Sequence, residues 1–246
     1  MSNFRYARPD NFPPIIKNLI IINVLVYVAQ LLLQEQFQLT SKLALWPILP
    51  GNLEYYVTKA SGGDFFVGFE PYQIATHFFT HALNNPFHLV FNMMGLWVFG
   101  RTLENVLGPK RFLFLYLAAG VGAAALHLAV QYFRAEPLLN AFQQFDQDSI
   151  YRYQGALSSA VGASGAVMGV MAASAFLFPN TEYMMMMMPF PIKAKWLVLG
   201  WVAIDLFGGV AKVEGDNIAH FAHLGGAITG FIIVFIWNKT NRKTLY

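Results

Sequence analysis

A chain of 246 residues with 56% apolar residues, only 12% charged residues and a mean hydropathy of +0.45 is far from a soluble globular domain, in which about 25% of residues are charged. These figures exclude a disordered chain, a coiled coil and an ordinary soluble enzyme, and they fit a chain whose solvent is lipid. The net charge of +3 does not indicate nucleic acid, because the cations stand at the ends of apolar runs rather than in one patch. The absence of cysteine removes disulfides, Cys-ligated zinc and thiol catalysis.

Residues 1–14 are polar and read as a cytoplasmic N-terminal segment. The apolar run 15–33 lacks a small-residue cleavage site, so it reads as a retained first helix rather than a removed signal peptide. Residues 34–84 form a long outer loop with apolar patches such as Leu43–Leu49. A structureless loop of that length is unusual, and short helices lying in the outer interface are expected. Further apolar runs follow at Phe87–Leu103 and Phe112–Phe133, then within Leu157–Phe178, Trp196–Val210 and Ile218–Trp237. Runs this long and poor in charge read as membrane spans. The fourth begins rich in Gly and Ser, and the fifth is short and holds Asp205. Between them Met184–Met188 precedes Pro189 and Pro191; apolar filler at the membrane surface is the reading, with a metal-binding methionine cluster as its rival. Residues 239–246 form a basic tail. The expected fold is therefore one all-α membrane domain over 1–246 with six transmembrane helices.

Charge sets the expected sidedness. With the N-terminus inside, the inner side holds Arg5, Arg8, Lys17, Arg101, Lys110, Arg111, Lys193, Lys195, Lys239, Arg242 and Lys243, which is 11 of the 16 cations. The outer side keeps Lys42, Lys59, Arg134, Arg152 and Lys212 with most of the carboxylates. This is the positive-inside asymmetry. It puts both termini in the cytoplasm and suggests a cell inner membrane.

Polar residues inside spans are costly and are functional candidates by default. The informative ones are His88, Asn92, Ser164, Asp205, His220 and His223. Depth is counted from the inner end of each span. Ser164 stands fifteen residues before Pro179 and His223 fifteen before Asn238, each roughly 22 Å up at 1.5 Å per residue. His88 and Asn92 stand thirteen and nine residues before Arg101, or roughly 20 and 14 Å. One cavity open to the outer side is the economical reading.

The local patterns sharpen it. In Gly162-Ala163-Ser164-Gly165 a serine lies between glycines, and a helix starting at Ser164 would aim free N–H groups and its positive dipole end at the Oγ, where an oxyanion would be stabilised. A small-residue helix contact is the alternative. In Ala222-His223-Leu224-Gly225-Gly226 with Gly230, positions 223, 226 and 230 share one helical face, and the Gly226/Gly230 pair permits close helix approach. A neutral imidazole there is the right base for a serine hydroxyl; a histidine satisfied by a backbone carbonyl is the alternative. His88 and Asn92, four apart, project from one face and could hold an oxyanion or merely join spans.

Together the three motifs resemble the rhomboid intramembrane serine proteases. His88-Leu89-Val90-Phe91-Asn92 resembles their HxxxN, Gly162-Ala163-Ser164-Gly165 their GxSG, and Ala222-His223 with its following glycines their AH motif. The order and six-span layout agree over roughly residues 15–238. The resemblance implies a Ser–His dyad with no third acid: Ser164 as nucleophile, His223 as general base and acid, and His88, Asn92 and the Ser164 N–H as oxyanion hole. Gly162, Gly165, Gly226 and Gly230 are structural beside the site. The implied substrates are membrane proteins with a labile transmembrane or juxtamembrane helix, cut in the bilayer with no cofactor, metal, nucleotide or nucleic acid. Softer matches are Gly100-Arg101-Thr102-Leu103-Glu104, with Glu104 structural, and Asp205-Leu206-Phe207-Gly208, similar to a segment near the family's lateral gate. Tyr72-Gln73 stands near the place of the family's Trp-Arg pair, and Met168 where a tyrosine often follows the nucleophile.

Two rivals come from other classes. His77/His81 and His220/His223 have chelating spacings, which would suit a His-liganded membrane metalloenzyme, but no HExxH is present. A non-catalytic chaperone or transporter for membrane helices would use the same polar cavity. For His220, one turn above His223, a rim position bonded to loop or water is expected.

Overall fold

The computed structural model describes residues 10–60, 68–184, 190–211 and 220–240. Helix α1, Pro14–Phe37, opens on a proline, whose fixed φ suits the first turn and whose missing N–H is no loss there. Its first free donors, the N–H groups of Ile15 and Ile16, are taken up by the two carboxylate oxygens of buried Glu104, each at 2.9 Å. Glu104 thus caps one helix from the end of another, and its expected structural role is met. The segment between α1 and α5, expected from the charges to lie on the outer side, carries three short helices, α2 (Leu39–Leu43), α3 (Leu53–Ala60) and α4 (Gln73–Thr76), the last running into a 3-10 turn at His77–Phe79. Helix α5 spans Pro86–Leu107 and α6 Pro109–Gln144. After α7 (Gln147–Tyr153) and a 3-10 turn come α8 (Ser164–Leu177), two short antiparallel strands β1 (Glu182–Tyr183) and β2 (Ile192–Lys193), then α9 (Ala194–Ala211) and α10 (His220–Thr240).

The protein is an all-α membrane protein. Its large apolar side chains face outward: Leu25 and Leu32 on α1, Phe87 and Phe91 on α5, Phe114 and Phe133 on α6, Phe207 on α9, Phe231 on α10. Exposed apolar surface on that scale would not stay in water. Helices α1, α6 and α10 are each long and apolar enough to cross a membrane. Helix α8 has 14 residues, roughly 21 Å, against a hydrocarbon core of about 30 Å. It is buried continuously from Gly165 to Ser174 and is surrounded by α5, α6, α9 and α10. The six-span layout remains the sequence expectation. The third run continues well past Phe133, to Gln144, because Pro137 is accommodated inside the helix. Of the Met184–Met188 run only Met184 is described, and it is exposed; the other four, like residues 1–9 and 241–246, lie outside the described residues.

The backbones of α8 and α10 touch. A Cβ on Gly226 would land on the Gly165 carbonyl, and one on Gly230 on the Gly169 carbonyl. On the neighbouring face a Cβ on Gly225 would come within 2.6 Å of the Gly122 carbonyl on α6. Helix α10 is therefore wedged between α8 and α6, and close approach of backbones replaces interdigitated side chains. The Gly226/Gly230 seam expected from the sequence is this contact.

Candidate active site

The turn that carries Ser164 is built from several directions. Gly162 has φ +119°, which a side chain rarely tolerates, and the chain turns there into α8, whose first residue is Ser164. The helix start expected at Ser164 is met. The approach to this turn is tied down by the outer segment. Leu45 and Ala160 exchange two backbone hydrogen bonds of 2.9 Å, and the Gly162 N–H donates to the His77 carbonyl at 2.9 Å. Two buried glutamines hold the outer segment itself. Gln30 of α1 donates to the His81 carbonyl and accepts from the His81 N–H; Gln73 accepts from the N–H groups of Trp46 and Glu70. Neither glutamine was singled out for this role, because a buried amide that organises a loop has no spacing signature.

Ser164 and His223, 59 residues apart, meet: the Oγ lies 2.8 Å from His223 Nε2. On the other side of the ring His223 Nδ1 donates to Asp205 Oδ1 at 3.0 Å. A carboxylate only accepts, so Nδ1 carries the proton and Nε2 is left with a lone pair for the serine hydroxyl. Ser164 and His223 are both partly accessible while Asp205 is buried. This is the geometry a base needs to take a hydroxyl proton.

His88 and Asn92 flank the same turn. The Ala82 N–H donates to His88 Nδ1 at 3.3 Å, which makes Nδ1 the acceptor and Nε2 the protonated nitrogen. A Cβ on Gly162 would stand 2.7 Å from His88 Nε2 and 3.8 Å from Asn92 Nδ2, so both donors face the turn beside Ser164. Asn92 Nδ2 also donates to the His88 carbonyl at 2.7 Å, which fixes its amide.

Two expectations are corrected. His220 does not stand at the rim. It is buried, and its Nδ1 donates to Asp205 Oδ1 at 2.8 Å, because positions 220 and 223 share the face of α10 turned toward α9. Asp205 is likewise more than a residue near a gate, since it joins both histidines. Among the described residues no group of three or more His, Asp or Glu side chains is arranged to hold a metal ion. His77 Nδ1 instead bonds the Gln73 carbonyl at 2.8 Å.

His77 and His81, both in the segment between α1 and α5, are buried. Burial lowers His77 to about 4, and burial with the nearby His88 lowers His81 to about 4. Below the ordinary imidazole value of 6.5 the unfolded chain takes up protons that the folded protein refuses until about pH 4. Stability is thus full above pH 6.5 and falls as the pH drops toward 4. Thermal melting of the purified protein across that range should show the decline, and His77→Gln should flatten it.

The comparisons with known proteins identify the family. A family model described as the Rhomboid domain matches residues 68–240, a stretch that holds all three motifs. The chain is 28% identical over 221 residues, 89% of its length, to the RHOMBOID-like protein 12, mitochondrial, of Arabidopsis thaliana, and covers 56% of that protein. It is 28% identical over 163 residues, 61% of its length, to Rhomboid protease AarA of Providencia stuartii, covering 50% of it. It is 30% identical over 165 residues, 65% of its length, to the human Presenilin-associated rhomboid-like protein, mitochondrial, covering 37% of it. The chain thus spans about half or less of the length of these relatives. A family match over most of the chain, ending on the helix that carries His223, places this multi-pass membrane protein in the rhomboid family.

Proposed function

We propose that this protein is an intramembrane serine endopeptidase that cleaves transmembrane or juxtamembrane segments of other membrane proteins. The observation that carries the reading is the 2.8 Å contact between Ser164 Oγ and His223 Nε2, together with membership of a family that includes a relative named a protease. In the first step Nε2 takes the hydroxyl proton as Oγ bonds the scissile carbonyl carbon. The C–N bond then breaks and the amine leaves with that proton. A water, deprotonated by the same nitrogen, next attacks the ester; Oγ recovers a proton and the carboxylate product departs. The peptide bond must be exposed for this, so a substrate helix that unwinds readily is favoured. The negative oxygen formed in each step would be held by His88 Nε2, Asn92 Nδ2 and the Ser164 N–H.

A serine-directed fluorophosphonate tests the reading: it should label Ser164 in the wild type and not in Ser164→Ala. Labelling elsewhere, or none, would favour a helix-binding chaperone or transporter. The oxyanion assignment has its own check. His88→Ala and Asn92→Ala should each slow cleavage of a transmembrane substrate by about 10²–10³-fold while Ser164 is still labelled slowly. Wild-type turnover in the double variant would remove both residues from the oxyanion hole. Both termini are proposed to face the cytoplasm on the charge asymmetry; the relatives come from mitochondria and from a bacterium, and this likeness does not favour a cell inner membrane.

A further inference from the structure

The dyad implied by the motifs leaves Asp205 without a task, yet its carboxylate is bonded to the dyad's histidine. It stands on α9, buried at 3% exposure, with one oxygen shared between two imidazoles: His220 Nδ1 at 2.8 Å and His223 Nδ1 at 3.0 Å. Its other oxygen, Oδ2, is buried with no hydrogen-bond partner among the described residues. The helix that carries it is held one turn beyond it, where the Arg134 guanidinium donates to the Gly209 carbonyl and lies 4.9 Å from the Phe221 ring. The carboxylate is thus clamped by His220 on one side and by the anchored helix on the other.

We propose that Asp205 is the positioning residue of His223, so that the site works as a Ser164–His223–Asp205 triad rather than a dyad. The inference rests on the serine-protease reading of the site. Asp205 holds His223 with the proton on Nδ1, which leaves Nε2 free to accept from Ser164. When Nε2 takes the Ser164 proton the ring becomes a cation, and the adjacent carboxylate stabilises it without itself being protonated. The support for the histidine comes from a charge, at a site where Met168 occupies the position of the family's tyrosine. His220 acts through Asp205: by occupying the same oxygen it keeps the carboxylate from turning away from His223.

The test uses the full chain, purified, with a transmembrane substrate. Asp205→Asn preserves shape and removes the charge, and it should lower kcat by about 10²–10⁴-fold with KM little changed. Asp205→Glu should recover part of the loss, and His220→Asn should show a smaller fall in kcat. The second readout does not depend on turnover. In ¹⁵N-histidine NMR the His223 signal, assigned by its absence in His223→Gln, should report a proton on Nδ1 in the wild type and a mixed or reversed tautomer in Asp205→Asn. Wild-type kcat in Asp205→Asn, or an unchanged tautomer there, overturns the proposal. A loss of kcat that only follows a loss of folded protein in melting, with the tautomer retained, also overturns it. An inactive wild type whose His223 tautomer still depends on Asp205 would support the positioning bond and overturn the protease reading instead.

Discussion

Ser164→Ala and His223→Ala should each leave no detectable cleavage of a transmembrane substrate, while His220→Ala should retain a substantial part of it. In a well-characterised serine protease, loss of the nucleophile or of its histidine costs about 2 × 10⁶ in kcat, nearly as much as loss of the whole set. The two histidines are one turn apart and share one carboxylate oxygen, but only His223 reaches the Ser164 Oγ. The asymmetry therefore follows from geometry rather than from burial or spacing. A strong chelator should change none of these rates. Equal loss in the two histidine variants, together with inhibition by chelator, would replace the serine mechanism with a metal one.

Gly226→Val should also slow cleavage strongly without touching a reacting atom. A Cβ at position 226 coincides with the Gly165 carbonyl, and both partners are helix backbone, so neither can swing aside. Helices α8 and α10 must separate, and they carry Ser164 and His223. A displacement of about 1 Å can lower a rate by about 10²-fold, so cleavage should fall at least that far and melting should occur at lower temperature. Gly200→Ala on α9 is the control, because a Cβ there meets nothing within 4 Å; its activity and melting should match the wild type. Unchanged cleavage by Gly226→Val would mean that the glycine seam does not set the Ser164–His223 distance.

Much of this architecture is legible in the chain because lipid imposes it. Apolar runs long enough to span reveal the helices, and polar residues stand out against them. Ser164, His223 and His88 could be chosen and set at similar depth, with Asn92 deeper, by counting along each helix. The count was least exact for His88, since α5 runs on past Arg101 to Leu107.

What the amino-acid sequence determined by itself was the membrane class, the helix that starts at Ser164 beside Gly162, and the glycines that let α10 approach. Each depends on composition or on residues within a turn or two of one another. Only the tertiary structure decided which groups meet. Asp205 and His223 are 18 residues apart on different helices, and Leu45 and Gly162 owe their roles to backbone bonds with Ala160 and His77. Backbone hydrogen bonds leave no mark on side-chain pattern. A carboxylate near the end of an apolar helix likewise gives no sign of whether it faces lipid headgroups, a gate or an imidazole until the neighbouring helix is in place.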